Sequence, residues 1–312
     1  MWTSFYYAGQ EGEPDSGEHT WPVRVLPEVV DGRYEVDHYV GRGGMSLVYQ
    51  VKDRRDGALA ALKVLRPDLV HRPELVSRLA TEAVTMVMLD HPHVVHVRDM
   101  GTDPESDLWY VVTDWAPGGS ASLRVRRCGP IDATTAARWG VELCSALATA
   151  HARGIFHRDV KPGNLLIGAR GEALLADFGV ALVPDADCDT EAGVTLGTMS
   201  TMPPEQRRSP ANVGPTADLY ALAATLYQIT TGDNPIDLFM CSEDDPRWSR
   251  VDPGLRPVLH RATRADPAAR YANALDMARD LAPMVPTEVW ELEPWLAAWV
   301  RPASSVPAHS GP

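Results

Sequence analysis

Residues 157–164 read HRDVKPGN, and a DFG triplet begins at Asp177. The first segment carries an acid, Asp159, a cation, Lys161, and an amide, Asn164, on one short loop. Two apolar, strand-like pieces, NLLIG and ALLA, separate this loop from the triplet. This order and spacing are typical of a site that holds a metal ion and neutralises a phosphoryl group during its transfer from a nucleotide.

Lysine is rare in this chain, and its placement is informative. Of the 29 Lys and Arg residues, only Lys52, Lys63 and Lys161 are lysine. Arginine occupies almost every other basic position, so a lysine kept inside a motif indicates a need for a compact ammonium group. Lys161 lies in the loop just quoted and Lys63 in the strand-like stretch ALKVL, whereas Lys52 has no such context.

The composition is that of a folded globular protein. The 312 residues are 45% hydrophobic and 23% charged. The formal net charge is −13 and no long basic tract occurs, so the sequence predicts no nucleic-acid partner. The cysteines form no CxxC pair, which argues against a zinc site and a disulfide framework and favours reduced thiols. They are Cys128, Cys144, Cys188 and Cys241.

No apolar run has the length of a membrane-spanning helix. The first residues, MWTSFYYAGQEGEPDSGEHT, also lack the basic and apolar regions of a signal peptide. The sequence therefore predicts a cytoplasmic protein with no integral membrane segment.

Periodicity divides the chain into three regions. Residues 1–32 combine aromatic and acidic groups without a helix or strand period and are predicted to be a flexible arm. Strand-like segments follow as far as the linker APGGS, and mostly helical patterns continue to about residue 283. Residues 284–312 contain EVWELEPWLAAWV, predicted to be a helix that docks on the large lobe, and then a flexible tail. The apolar side of that helix is expected to comprise Leu292, Trp295, Leu296 and Trp299.

The stretch PELVSRLATEAVTMVMLDHP has a helical period and places a carboxylate among apolar side chains. Leu75, Leu79, Met86 and Leu89 recur at steps of three and four, and Glu82 falls in the same stripe. A buried carboxylate needs a partner. Either Lys63 is the partner of Glu82, or Glu82 lies at the edge of the stripe and its carboxylate reaches water.

The segment GRGGMSLVY, which begins at Gly41, follows one strand-like segment and opens another. Glycines let a backbone approach phosphate oxygens closely, so this segment is a candidate flap over a nucleotide. By itself it is equally a glycine-rich turn of an ordinary hairpin.

Together the glycine-rich hairpin, the strand lysine, HRDVKPGN and DFG resemble the serine/threonine protein kinases, in particular bacterial, actinobacterial-like kinases of eukaryotic type. The resemblance runs from about Tyr34 to about Ala282 and is to a catalytic domain without a transmembrane segment. It implies an α+β, bilobal fold for residues 33–283. A small antiparallel β lobe with one main helix would span about 33–116, and a larger, mainly α-helical lobe about 117–283.

The resemblance implies transfer of the γ-phosphoryl group of ATP, with Mg²⁺, to Ser or Thr hydroxyls of protein substrates. Asp159 would orient the hydroxyl, Lys161 would stabilise the moving phosphoryl group, and Lys63, paired with Glu82, would hold the nucleotide. Asn164 and Asp177 would bind Mg²⁺. The ATP site would be formed by Val40, Gly41, Gly43, Gly44, Val48, Ala61, Lys63, Thr113 (gatekeeper), Asp114, Ala116 and Leu166.

The resemblance also implies packing and regulatory roles. Glu205 is expected to pair with Arg270, and Asp218 to brace the catalytic loop. His157, Phe178, Met86 and Val97 are expected to stack between the lobes. The candidate phosphorylation sites are Thr190, Thr195 and Thr198, and self-association for autophosphorylation in trans is an expected partner interaction.

Two alternatives remain at this point. One is a nucleotide-binding pseudokinase or scaffold, which the complete set of phosphate and metal residues argues against. The other is a small-molecule phosphotransferase with the same two-lobe plan, which the HRDVKPGN loop and the segment GTMSTMPPEQ argue against.

Overall fold

The computed structural model describes residues 26–43, 45–178, 199–209 and 213–301. The small lobe is one antiparallel sheet of six strands in the order β1-β2-β3-β4-β6-β5. A two-stranded hairpin, β7–β8, lies in the large lobe. The strands are β1 Val29–Val30, β2 Tyr34–Arg42, β3 Ser46–Asp53, β4 Leu59–Leu65, β5 Val97–Thr102, β6 Trp109–Asp114, β7 Leu165–Ile167 and β8 Ala173–Leu175.

The helices are numbered along the described residues. Only α1 belongs to the small lobe, and the others form the large lobe and the segment that follows it. They are α1 Pro73–Met88, α2 Ala121–Cys128, α3 Ala133–His151, α4 Pro204–Arg208, α5 Pro215–Thr231, α6 Arg256–Ala262, α7 Ala274–Leu281, α8 Thr287–Leu292 and α9 Pro294–Val300. None of these helices is long and apolar enough to cross a membrane.

The small sheet is strongly curled, because its first turn contacts its far edge. Asp31, between β1 and β2, accepts a hydrogen bond from the Tyr110 hydroxyl of β6 at 2.7 Å. Arg33 lies beside Asp53 of β3 and Asp99 of β5, at 2.6 Å from each. These contacts close one face of the sheet over a cluster of buried apolar and tyrosine side chains. The other face is left for α1 and the cleft.

Helix α1 begins with Pro73 at its first turn, where a missing N–H costs nothing. Its inner face buries Leu75, Leu79 and Met86, as the sequence period predicts, and Glu82 is buried with them. The predicted alternative, that Glu82 reaches water, is therefore wrong. The helix packs against β4, β5 and β6 and joins the large apolar core that continues into the second lobe.

The large lobe is built around α5, which is buried on nearly every side because its sequence is apolar around its circumference. Helix α3 packs against both α5 and α7. Gly232 ends α5 in a left-handed conformation, with φ of 76°, which glycine adopts without steric cost. The predicted pair of Glu205 with Arg270 is confirmed at 2.6 and 2.8 Å. It ties α4 to the loop before α7.

The structure differs from the sequence prediction at both ends of the domain. The sheet starts earlier than residue 33, because β1 pairs with β2 and Leu26 and Val30 are buried. At the other end, the predicted single helix is two, since Pro294 cannot continue a helix and Glu293 before it leaves the helical region.

The break also changes which side chains of this segment are buried. Leu292 and Trp295, expected on the buried side, are exposed. Trp299 is only partly buried, and Leu296 is buried as predicted. The buried side chains of α8 and α9 are Val289, Trp290, Leu296 and Val300.

Candidate active site

Lys63 connects three elements at the bottom of the small lobe. It lies in β4 in register with Val48 of β3 and Val111 of β6, which directs its side chain toward α1 and the cleft. Its ammonium group donates to Glu82 of α1 at 2.7 Å and to Asp177 after β8 at 2.9 Å. One compact cation is therefore shared by two carboxylates from different parts of the chain.

The two carboxylates respond differently to the shared cation. Burial raises the pKa of Glu82 to about 7 against the opposing effect of Lys63, and the nearby Asp177 carboxylate raises it further. Burial alone would also raise the pKa of Asp177, but Lys63 holds it below the usual range. The pKa of Lys63 is raised despite its burial, because both carboxylates favour its charged form. Asp177 is thus the carboxylate that stays ionised at neutral pH.

The loop that begins at His157 is held from below by one buried carboxylate. Asp218 of α5 accepts hydrogen bonds from the backbone N–H groups of His157 and Arg158, at 2.9 and 2.7 Å. It also lies 2.8 Å from Nε2 of His151. Arg158 has φ of 64°, a region that side chains other than glycine adopt at a cost. Asp218 holds the loop in this conformation, as predicted.

His157 links this loop to the segment that carries Asp177. Its Nε2 lies 2.9 Å from the carbonyl oxygen of Ala176 and donates to it, and its Nδ1 accepts from the N–H of Asp159 at 3.2 Å. The ring also packs against Phe178 at 4.7 Å between centroids. Met86 and Val97 are buried in the same apolar core as Phe178.

The polar groups of the HRDVKPGN loop converge on Asp159. Lys161 lies 2.9 Å from Oδ2 of Asp159, and Nδ2 of Asn164 donates to the same oxygen at 3.1 Å. Nδ2 also donates to the Asp159 carbonyl oxygen at 2.8 Å. Asn164 and Asp177 lie at adjoining ends of the β7–β8 hairpin, because the N–H of Ala176 donates to the carbonyl oxygen of Asn164. The structure therefore brings the four predicted groups of this region together.

The oxygen chemistry of Asn164 and Asp177 suits a hard cation. The amide nitrogen of Asn164 is engaged by Asp159, so its amide oxygen is the atom available to a metal. Mg²⁺ prefers carboxylate and amide oxygens to nitrogen or sulfur ligands. The residues present fit the predicted ion.

The predicted apolar residues of the ATP site belong to the strands around Lys63, to the connection between the lobes and to β7. Val40, Ala61 and Ala116 are buried in the small lobe and at its edge, and Leu166 of β7 is buried below them. Val48 and Thr113 are partly buried on neighbouring strands. Small and branched apolar side chains of this kind are suited to contact with a planar aromatic group.

The connection between the lobes is fixed by its side chains. Arg98 of β5 donates to Asp114, and the N–H of Asp114 donates to the carbonyl oxygen of His96 at 2.9 Å. The Gln50 side-chain amide is oriented so that both of its ends have a hydrogen-bond partner. Its oxygen accepts from the Trp115 indole N–H at 3.0 Å, and its nitrogen donates to the Asp37 carboxylate at 2.7 Å. The sequence motifs do not predict this Trp115–Gln50–Asp37 chain, since none of its members belongs to a motif.

Two of the three predicted glycines of the flap are described. Gly41 pairs with Val48 across the hairpin, and the N–H of Gly43 donates to the Ser46 carbonyl oxygen at 2.7 Å. A Cβ on Gly43 would lie 3.2 Å from the Ser46 hydroxyl, so the close turn favours glycine. Gly44 lies outside the described residues, as do Thr190, Thr195 and Thr198.

One contact of the loop was not expected from the sequence. Gln206 of α4 donates to the carbonyl oxygen of Arg158 at 2.7 Å. It ties the PPEQ segment to the loop that carries Asp159. Only its position next to Glu205 distinguishes Gln206 in the sequence.

Comparison with known families agrees with this geometry. Residues 34–278 match the model of the protein kinase domain. The chain is 34% identical over 273 residues to the serine/threonine-protein kinase PknB of Mycolicibacterium smegmatis, which covers 82% of this chain and 44% of that protein. It is 32% identical over 269 residues to the serine/threonine-protein kinase PrkC of Bacillus subtilis, covering 82% of this chain and 41% of that one. The chain thus spans less than half the length of these curated relatives.

A solved structure shares the fold. The crystal structure of the PknI kinase domain from Mycobacterium tuberculosis aligns with a TM-score of 0.63 at 27% sequence identity. The alignment covers 84% of this chain and 99% of the PknI chain. The predicted α+β, bilobal architecture is therefore confirmed.

Replacing Asp218 by Asn tests how much the buried carboxylate supports the loop. In the variant, the NH₂ group of the new amide would face one of the backbone N–H groups that now donate to the carboxylate, and that N–H would lose its acceptor. We therefore expect the free energy of unfolding to fall by about 2 kcal/mol. Asp233→Asn, at a surface pair with Arg250, is the control and should cost about 0.5 kcal/mol or less. Urea unfolding of both variants measures the difference, and equal midpoints for wild type and Asp218→Asn would contradict this role.

Proposed function

Because the chain belongs to the protein kinase family, we propose that it transfers the γ-phosphoryl group of ATP to Ser or Thr hydroxyls of protein substrates. The observation that carries the proposal is the shared Lys63 ammonium, 2.7 Å from Glu82 and 2.9 Å from Asp177. It connects the helix, the strand and the triplet that must be aligned for phosphoryl transfer. The complete set of groups also favours an active enzyme over a scaffold that only binds nucleotide.

Asp159 is the proposed acceptor of the substrate proton. Lys161 and Asn164 both bind Oδ2, so we assign Oδ1 to the incoming hydroxyl. The hydroxyl oxygen forms a bond to the γ-phosphorus while the bond between this phosphorus and the β–γ bridging oxygen breaks. ADP leaves, and the proton passes to Asp159. Lys161 is the cation nearest the transferring group and neutralises its developing charge.

We assign the positioning of the nucleotide to Lys63 and to the apolar residues of the neighbouring strands and of β7. The adenine ring would lie between Val40, Val48 and Ala61 above and Leu166 below, with hydrogen bonds to the backbone from Asp114 to Ala116. Gly41, Gly43 and Gly44 would cover the phosphates. Lys63, aligned by Glu82, would bind the α- and β-phosphates, since an ammonium held by a carboxylate keeps a fixed direction.

Asn164 and Asp177 would hold Mg²⁺, which would supply charge neutralisation to the phosphates of the nucleotide. Asp177 already accepts a hydrogen bond from Lys63, so a cation held there would share this carboxylate with the ammonium group. We therefore expect the Lys63 ammonium to turn from Asp177 toward the phosphates in the loaded enzyme. Its contact with Glu82 remains.

The proposed setting is the cytoplasm, where ATP is available. Cys128, Cys144 and Cys241 are free thiols, which supports a reducing compartment. Self-association for phosphorylation in trans is part of the proposal, with the segment that contains Thr190, Thr195 and Thr198 as its target.

Asp159→Asn tests the proposed reaction. We expect label transfer from γ-labelled ATP to the protein itself and to a generic Ser/Thr acceptor to fall by at least about 100-fold, because the amide cannot accept the hydroxyl proton. Nucleotide affinity should change little, which a fluorescent ATP analogue measures. Equal labelling by wild type and variant would overturn the assignment of Asp159. Label found by mass spectrometry only on a metabolite would favour a small-molecule phosphotransferase.

Glu82→Gln separates positioning from folding. The amide leaves Lys63 with a weaker partner, so we expect kcat/KM to fall by about 30-fold or more. The free energy of unfolding should change little, since the carboxylate is itself costly to bury. Kinetics and thermal unfolding on the same preparation test this. If stability and activity fell together in the variant, the positioning role would be wrong.

A further inference from the structure

The segment α8–α9 lies beyond the residues that match the kinase family, 34–278, and carries one buried acid. Glu293 joins the two short helices and is only 4% exposed. The break before Pro294 turns its carboxylate inward, whereas Glu288 and Glu291 of the same segment are exposed. A buried carboxylate at a helix break requires a partner in the body of the domain.

That partner is His93, a fully buried residue of the loop between α1 and β5. Its Nε2 lies 2.9 Å from Oε2 of Glu293, and its Nδ1 lies 2.9 Å from the carbonyl oxygen of Ala173. Burial alone would raise the pKa of Glu293, but His93 lowers it, so the ionised carboxylate and the carbonyl oxygen are both acceptors. The ring therefore donates from both nitrogens and carries a positive charge. The pair is a buried, charged link between the C-terminal segment and the small lobe.

The charges around the pair are satisfied by protein groups. Glu142 of α3 accepts from Arg138 at 2.6 Å and from the N–H of Ala173 at 2.7 Å, and Arg170 lies 3.5 Å from Glu293. His93, Glu142 and Glu293 lie close enough to share a metal ion. Two guanidinium groups and an imidazolium already outnumber the two carboxylates, so a divalent cation is not needed for charge neutralisation.

An aromatic cover completes this junction. The Trp295 ring of α9 packs edge-on to His91 at 5.5 Å between centroids and lies against His93 at 5.8 Å. Burial is the main cause that lowers the pKa of His91 to about 4, and the neighbouring His93 and Arg153 lower it further, against Asp90 and Glu293. His91 is thus neutral where His93 is charged.

The loop that holds His93 lies between the two elements that supply carboxylates to Lys63. Toward one side it continues from α1, which carries Glu82. On its other side, the loop is hydrogen-bonded to β8. The N–H of Leu175 donates to the carbonyl oxygen of His93 at 2.9 Å, and the N–H of Val95 donates to the carbonyl oxygen of Leu175 at 3.0 Å. Leu175 ends β8, just before Asp177.

We infer that Glu293 and His93 are positioning residues for phosphoryl transfer. The C-terminal segment clamps the loop of His93 and thereby sets α1 and β8 relative to Lys63. The inference rests on the proposed function for its catalytic readout. The clamp itself is a feature of the free protein and is measurable without turnover.

The clamp depends on pH in a defined direction. Burial by itself lowers the pKa of His93, but Glu293 and Glu142 raise it above the usual value of about 6.5. The pair is therefore complete below about pH 6.5 and is lost as the pH rises through the higher pKa of the folded protein. On the acid side, the pKa of Glu293 is lowered by His93, Arg170 and Arg138 despite its burial, so the pair persists below pH 4.5.

Glu293→Gln tests the clamp, with Glu291→Gln as the matched control on the exposed side of the same segment. We expect kcat of Glu293→Gln to fall by about tenfold near pH 6, because the alignment of α1 and β8 with Lys63 is lost. The KM for ATP should be nearly unchanged, because the residues proposed to contact adenine are not altered. The control should match wild type. The ratio of wild-type to Glu293→Gln activity should decrease between pH 6 and pH 10, and a constant ratio would contradict the charged pair.

His93→Gln keeps a donor toward Glu293 but does not titrate. The alkaline loss of activity assigned to the pair should disappear in this variant, and its persistence would overturn the role of His93. Hydrogen exchange separates the clamp from the proposed function, since it needs no catalysis. Exchange in residues 91–95 and in β8 should rise in Glu293→Gln and stay unchanged in Glu291→Gln. Unchanged exchange in Glu293→Gln overturns the clamp, whereas a wild-type enzyme that transfers no phosphate overturns only the proposed function.

Discussion

The structure of the site depends on one ammonium group shared between two carboxylates. Glu82 comes from α1 and Asp177 from the end of the β7–β8 hairpin, and each lies within 3 Å of Lys63. Burying these charges is costly unless they are paired, so the arrangement is stable only when the helix, the strand and the hairpin are in register. The contact between Lys63 and Asp177 thereby connects the small lobe to the large lobe. One ammonium group faces two carboxylates, and burial and the repulsion between these carboxylates together raise the pKa of Glu82.

Much of this site could be predicted from the sequence, because few other residue types can supply the chemistry that each position needs. Lys63 and Lys161 remain lysine in a chain that otherwise uses arginine, and Asp159, Asn164 and Asp177 occur at a spacing that chance seldom produces. Glu82 was recognisable as a charge on an apolar helical face, and the structure gives it the expected partner. The roles assigned to these residues in catalysis remain predictions that rest on the family and the geometry.

The parts that could not be predicted depend on tertiary contacts. Strand β5, VRDMGT, has weak strand character and forms because β6 offers an edge to pair with. The helical period of 288–300 placed Leu292 and Trp295 on the buried side, where the structure has them exposed, since the break at Pro294 divides the segment into two helices. His93 and Glu293 are 200 residues apart and belong to no motif, so only the fold reveals their contact.

The most direct test of the central claim is the activity of Lys63→Arg, measured as label transfer from γ-labelled ATP to a generic acceptor protein. Arginine keeps the positive charge, but its planar guanidinium is too large to occupy the place of an ammonium between Glu82, Asp177 and the phosphates. We predict a loss of about 100-fold or more in kcat/KM with little change in the free energy of unfolding. Full activity in this variant would contradict the assignment of Lys63 as the shared cation of the site.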